Sequence, residues 1–235
     1  MKHPNTAPQV TRPWRGESAQ DRRQQRQARF LEAALASFAR HGIAKTTMRD
    51  ICAEARLTER YFYESFQSTE HAFEQVYASL KGELVQRVSQ ALLTAPKDIE
   101  SLAREGLRAF YIYIQEDPRR GQIMLIDAVS ANQQTLEKSR HAIKEYVALM
   151  AQLASDLLPL AQREQLDMDW LAWGLLGMAI QVGSLWIGEG MKRPVDEVLA
   201  YNLYAWRGLA GWLMSPTADA GQPTQPKPPA SPAPG

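Results

Sequence analysis

Residues 42–73 read GIAKTTMRDICAEARLTERYFYESFQSTEHAF, and the spacing inside this stretch decides the fold. Thr47-x-x-Asp50 has the form of a capping box, which opens a helix by satisfying its free N–H groups. Ile51 and Ala55 follow four residues apart and share one face. Thr58 suits the N-cap of a second short helix. In that helix Phe62 and Phe66 form an apolar edge, Arg60, Tyr61 and Glu64 point away, and Tyr63 lies at the flank. So short a helix is marginal alone in water and has to be held by packing. A pinned helix with a polar, aromatic outer face has the right shape for the major groove of DNA. A plain helical hairpin with a solvated face would share the pattern, so both readings stay open at this point.

Composition narrows the choice. The chain has 235 residues, enough for one mid-sized domain or two small ones, and at 45% hydrophobic it can fill a core. A net charge of +1 does not by itself suggest nucleic acid, but its distribution does. Residues 1–30 carry seven basic side chains (Lys2, Arg12, Arg15, Arg22, Arg23, Arg26, Arg29) against Glu17 and Asp21, which leaves −4 on the remainder. Basic charge beside such a helix pair fits phosphate attraction. For residues 1–20 a solvated leader explains it as well, and Arg22 to Arg29, at the start of the first helix, are the better phosphate candidates.

The single cysteine, Cys52, excludes an intramolecular disulfide and a Cys-based zinc site, and reads as a small helix residue. His3, His41, His71 and His141 are scattered, with no pair at i, i+4. G-x-S-x-G and a phosphate-binding glycine loop are both missing from the sequence. No catalytic residue, metal or cofactor is expected, and the chain is not expected to be an enzyme. Its start does not resemble a secretion signal, so a cytoplasmic protein is expected.

Four regions are predicted: a disordered basic arm over 1–20, a helix-turn-helix domain over 21–67, a larger helical domain over 68–215 and a proline-rich disordered tail over 216–235. Within the third, helical periodicity is broken at Pro96, Asp117-Pro118, Pro159, and Gly190 with Pro194. Helices are expected over about 70–93, 98–116, 118–132, 136–158, 167–188 and 195–214.

Trp170 to Ile187, WLAWGLLGMAIQVGSLWI, is eighteen residues without a charge. By length, and with Trp near both ends, it qualifies as a membrane span. Its small residues (Gly174, Gly177, Ala179, Gly183) and polar Gln181 and Ser184 instead favour a helix buried in protein. Ala179 and Gly183, four apart, allow close helix contact. The last segment carries Leu199, Leu203, Trp206, Ala210 and Leu213 at spacings of three or four, a stripe able to dock on it.

Residues from about Arg22 to Tyr77 resemble the DNA-binding domain of the TetR family of transcriptional regulators. Phe30-Leu31-x-Ala33-Ala34-x-x-x-Phe38-Ala39-x-x-Gly42 resembles the first helix and its glycine stop. Thr46-Thr47-Met48-Arg49-Asp50-Ile51-Cys52-x-x-Ala55 resembles the second helix, Thr58-x-x-Tyr61-Phe62-Tyr63-x-x-Phe66 the recognition helix, and Ser68-x-Glu70-x-x-Phe73 the start of the fourth. Two positions depart from the family pattern: Arg56 stands where the turn usually has Gly, and Thr69 where a phosphate-touching Lys is usual.

The resemblance implies an all-α fold, with an N-terminal three-helix helix-turn-helix DNA-binding domain and a larger C-terminal ligand-binding and dimerisation domain. It implies double-stranded DNA as partner. Thr47, Tyr63 and Thr69 match phosphate-touching positions. Arg49, Arg60 and Tyr61 are the candidates for base edges, and Thr58 completes the DNA-binding set.

The last two helices would form a homodimer interface from Trp170, Gly177, Ala179, Gly183, Leu199, Leu203, Trp206 and Ala210, with no membrane involved. A small-molecule effector would sit in the C-terminal domain among Phe110, Tyr111, Ile114, Met124, Tyr146, Met150, Trp173 and Met178, residues that equally suit a plain core. With no charged cluster among them, the effector is expected to be mostly apolar. Repression of a near-palindromic operator, released by effector, is the expected mode. A ligand-independent regulator or activator, or a membrane-associated helical scaffold, is the alternative.

Overall fold

The computed structural model describes residues 18–127, Lys144 and residues 167–213. The expected helix over 136–158 apart from Lys144, the tail over 216–235 and all of the N-terminal arm before Ser18 lie outside the described residues. The protein is all-helical, and the described residues form two compact units, 1–76 and 77–235.

In the first unit α1 spans Ala19–His41, α2 Met48–Ala55 and α3 Glu59–Ser65, and α4, Thr69–Thr94, begins there and continues into the second. The helical domain starts before residue 21, because Ser18 and Asp21 close a capping box that fixes residues 18–20 as the start of α1. The Ser18 hydroxyl accepts the Asp21 N–H at 3.0 Å, and the Asp21 carboxylate accepts the Ser18 N–H at 2.9 Å. Gly42, at φ 76°, ends α1 by donating its N–H to the Phe38 carbonyl at 2.7 Å, a backbone turn that favours glycine.

Five phenylalanines form the heart of this unit. Phe30 meets Phe62 and Phe66 edge-on at 5.7 and 6.1 Å, and Phe38 meets Phe73 at 5.3 Å. All five are buried, together with Ile51 and Ala55. The packing of Phe73 on Phe38 carries the unit on to residue 76 instead of ending it at 67.

In the second unit α5 spans Ile99–Glu116, α6 Pro118–Gly121, α7 Met168–Gly188 and α8 Val195–Leu213. The helix expected over 118–132 is a single α-turn that widens into a π-helical stretch, Gln122–Asp127, as far as the described residues run. Asp98 caps α5 by accepting the Ser101 N–H at 2.8 Å. α5 then buries Ala103, Leu107, Phe110, Tyr111 and Ile114 against Leu125, Ala179, Trp186, Val198, Leu199 and Leu203.

One buried polar chain ties three helices together. Asn202 Nδ2 of α8 donates to the Tyr111 hydroxyl of α5 at 2.7 Å, and that hydroxyl donates to the Ala179 carbonyl of α7 at 3.1 Å. Burial pushes the Tyr111 phenol well above its ordinary pKa, so it stays protonated and able to donate.

Candidate nucleic-acid interface and helix surfaces

The DNA-facing candidates are set by how α2 and α3 are held. Thr47 caps α2, and its hydroxyl accepts the Asp50 N–H at 3.3 Å while donating to the Asp50 carboxylate at 2.7 Å. These bonds hold the Asp50 carboxyl below the usual range. The Thr47 hydroxyl proton is therefore committed to the cap. Ile51, Cys52 and Ala55 turn inward, Arg49 outward. Burial pushes the Cys52 thiol up, consistent with a packing role.

The turn after α2 places Arg56 in the left-handed region at φ 52°, ψ 44°, where the family pattern has glycine. The turn keeps its geometry, and the side chain bears the strain. We predict that Arg56→Gly raises the stability of this unit by about 1 kcal/mol, because an L-residue there carries a steric penalty that glycine lacks. Chemical denaturation followed by circular dichroism would show it, and an unchanged or lower midpoint would contradict it.

On α3 only Phe62 is buried; Arg60 and Tyr63 face solvent, and Tyr61 is half-buried. Thr58 makes no side-chain cap bond, so its exposed hydroxyl is available outward. Thr69 is the first residue of α4 and half-buried. Thr47, Arg49, Thr58, Arg60 and Tyr63 are exposed residues carried by the α2 and α3 termini and the outer face of α3.

Three arginines expected to reach phosphate are engaged inside the unit. Arg29 donates to the Ala55 carbonyl at 2.7 Å and Arg23 to the Glu64 carbonyl at 3.3 Å, each at the end of a short helix where free carbonyls attract cations. Arg26 stacks over the Tyr61 ring at 4.5 Å and pairs with Glu64 at 3.8 Å. They steady the recognition helix. The sequence showed only their charge, and their targets became visible once α1 was packed across α2 and α3.

In the second unit, the expected effector residues separate. Phe110, Tyr111 and Ile114 are buried in one cluster, with Met124 packed against it. Trp173 and Met178 are half-buried on α7 outside that cluster, and Tyr146 and Met150 lie outside the described residues. A surface groove of about 270 Å³ on α4 and α5, lined by Arg87, Ala91, Glu105, Arg108, Ala109 and Ile112, contains none of them. Among the described residues, Asn202 Oδ1, Trp206 Nε1 and Asp127 Oδ2 are buried without a hydrogen-bond partner.

The expected dimer residues separate too. Ala179, Gly183, Leu199 and Leu203 are buried in the chain's own core. A Cβ on Gly183 would stand 3.0 Å from Leu125 and 3.6 Å from Phe110 and Tyr111, so the glycine serves close packing within the unit. Trp206 is partly buried against the same core. The side chain of Ala210 lies outside the described residues.

Trp170 and Gly177 are exposed, and they belong to a longer stripe the sequence reading missed: Trp170, Gly174, Gly177, Gln181, Leu185 and Gly188. Their spacing of three and four residues makes one face of α7. On α8, Tyr201, Tyr204, Gly208 and Gly211 are exposed at the same spacing. Trp170 is 77% exposed, Leu185 60% and Tyr204 63%, large apolar side chains left mostly open to solvent. α7 is also long and apolar enough to cross a membrane by length and composition, with 17% of its apolar window buried.

Comparison with known proteins gives a family match confined to the N-terminal unit. The family of bacterial regulatory proteins named for tetR matches residues 30–76, the span holding the phenylalanine core, α2, the turn and α3. Over that span the chain is similar to the DNA-binding domain of the TetR family.

A probable acrEF/envCD operon repressor of Escherichia coli is 30% identical over 99 residues, 41% of this chain and 44% of that protein. The chain thus matches less than half the length of this curated relative. The TetR fold extends further than that match. A fatty acid degradation regulator, FadR, of Bacillus halodurans superposes with a TM-score of 0.71 at 14% identity, covering 83% of this chain and 97% of that one. FadR of Bacillus subtilis, solved in complex with stearoyl-CoA, gives 0.68 at 12% identity, covering 76% and 96%. A TetR-like regulator from Rhodococcus gives 0.64 at 22% identity, covering 79% and 96%. The chain therefore has the N-terminal helix-turn-helix and C-terminal helical architecture expected of it.

Proposed function

We propose that this TetR-family regulator is a repressor that binds a near-palindromic operator as a two-fold dimer and is released by a small, mostly apolar effector. The observation that carries the DNA reading is α3. Its apolar edge is locked onto Phe30, while Arg60 and Tyr63 are exposed on the outer side with Arg49 of α2. Arg49, Arg60 and Tyr61 are assigned to base edges. Thr58, Tyr63 and Thr69 are assigned to phosphate, with the α2 N-terminus presented by Thr47.

Dimerisation is assigned to the exposed stripes of α7 and α8, where glycines let helices approach closely and a two-fold axis would pair each stripe with its own copy. The buried face of α7 is fixed by the Tyr111 bond to Ala179, which leaves the small-residue face for the partner and favours a protein contact over a lipid one. Repression is supported by the Escherichia coli relative, and an effector with a long apolar chain by the stearoyl-CoA complex of the Bacillus subtilis regulator. Such an effector acts only through different affinity for the DNA-competent and DNA-incompetent conformers.

The test begins with selection of bound duplexes from a random pool, followed by gel shifts at defined salt with and without acyl-CoA thioesters of graded length. Arg60→Ala is expected to lose about 1–3 kcal/mol on the selected sequence, with relaxed preference at one guanine. Tyr63→Phe is expected to weaken selected and random sequences alike. Equal losses from Arg60→Ala on both sequences would remove its base-reading assignment.

A further inference from the structure

Two carboxylates stand among the cations of the surface assigned to DNA. Glu59 Oε1 lies 3.5 Å from Arg49 Nε, joining the start of α3 to α2. Glu64 Oε1 lies 3.4 Å from Arg60 Nε one turn along α3, and its other oxygen lies 3.8 Å from Arg26 of α1. Arg49 and Arg60 are 84% and 85% exposed, so these pairs contribute little to folding. Their effect is on what the arginines can do next.

We propose that Glu59 and Glu64 are specificity-determining residues that hold Arg49 and Arg60 in neutral ion pairs and so suppress binding to non-cognate DNA. The proposal rests on the DNA-binding reading above and deepens it. Sequence-independent affinity grows with the cations a protein brings to phosphates. An arginine that leaves its carboxylate for a phosphate strands that carboxylate beside a polyanion, whatever the sequence. At a cognate site the same exchange is rewarded twice. Guanine O6 and N7 take the guanidinium with two hydrogen bonds, and a carboxylate can accept from a cytosine amino group. The penalty is uniform and the reward depends on sequence, so the ratio between the two affinities rises.

The pairs are not equivalent. Glu64 keeps Arg26 when Arg60 departs, and Arg26 is itself fixed on the Tyr61 ring. Glu59 pairs with Arg49 and sits on the exposed first turn of α3, which makes Glu59→Gln the cleaner variant.

Full-length wild type, Glu59→Gln and Glu64→Gln, each checked for native circular dichroism, are titrated with a random-sequence duplex and with the tightest duplex selected from a random pool, over a range of salt. Glu59→Gln is expected to bind the random duplex about threefold to tenfold more tightly at low salt, with its log affinity against log salt steeper by about one. Its gain on the selected duplex is smaller, so discrimination falls. Unchanged affinity of both variants for the random duplex, with wild type binding normally, overturns the proposal alone. A loss confined to the selected duplex also overturns it and makes the carboxylate a base reader only. If wild type and variants bind neither duplex at low salt, the DNA-binding reading fails and the proposal with it.

Discussion

Gly177→Arg is expected to leave a folded, monomeric protein that has lost roughly 100-fold or more of its operator affinity. Among the described residues nothing lies within 4 Å of a Cβ built on Gly177, so the new side chain enters open space there. At an exposed position inside a helix, Arg is also favoured over Gly by up to about 1 kcal/mol of intrinsic propensity. The protomer should therefore be no less stable. A second copy docked on the same face would meet a guanidinium where helices approach through glycine, and would meet it twice across a two-fold axis. Losing the dimer removes the linkage of two half-site contacts, worth about 100-fold to 10,000-fold in avidity. Sedimentation at micromolar concentration and gel shift on the selected operator read the two effects separately. A variant that stays dimeric with full operator affinity would move the interface off this stripe. The neighbouring change Gly183→Val would act differently, through the crowded core, with a loss of folding and not of association alone.

Phe62→Ala should cost about 3–5 kcal/mol of stability in the N-terminal unit and abolish DNA binding. Phe62 is 1% exposed and meets Phe30 at 5.7 Å, Phe66 at 5.3 Å and Tyr63 at 5.7 Å. Truncation leaves a cavity under a helix of seven residues, too short to persist without its packing. Arg60, Tyr61 and Tyr63 would lose their fixed aim together. Denaturation and operator binding measured on the same sample test this. A loss below about 1 kcal/mol would mean that α3 is held by Arg23 and Arg26 rather than by its aromatic edge.

The helix-turn-helix was legible because local rules set it. Thr47 and Asp50 cap α2 as their spacing predicts, Phe62 and Phe66 fall on the buried edge, and Asp98 caps α5. What failed was the assignment of partners over distance. Arg23, Arg26 and Arg29 looked like a phosphate-seeking cluster, since charge and helical position were all the sequence offered, yet their guanidiniums reach Glu64, Tyr61 and Ala55 across the packed unit. Asn202 carried no signal at all, although it is fully buried and anchors α8 to Tyr111.

The sequence by itself determined the long helices among the described residues, and that residues 42–73 form a helix pair with one polar face, because capping and periodicity are written in neighbours three and four residues apart. Only the tertiary structure decided how α7 is turned. A helix apolar on every side has no polar face to orient it, so sequence left Ala179 and Gly183 as plausible for a partner as Gly174 and Gly177. The choice was made by distant groups: Leu125, Phe110 and Tyr111 crowd Gly183, and the Tyr111 hydroxyl takes the Ala179 carbonyl. Those contacts turn one stripe into the core and leave Trp170, Gly174, Gly177, Gln181, Leu185 and Gly188 uncovered.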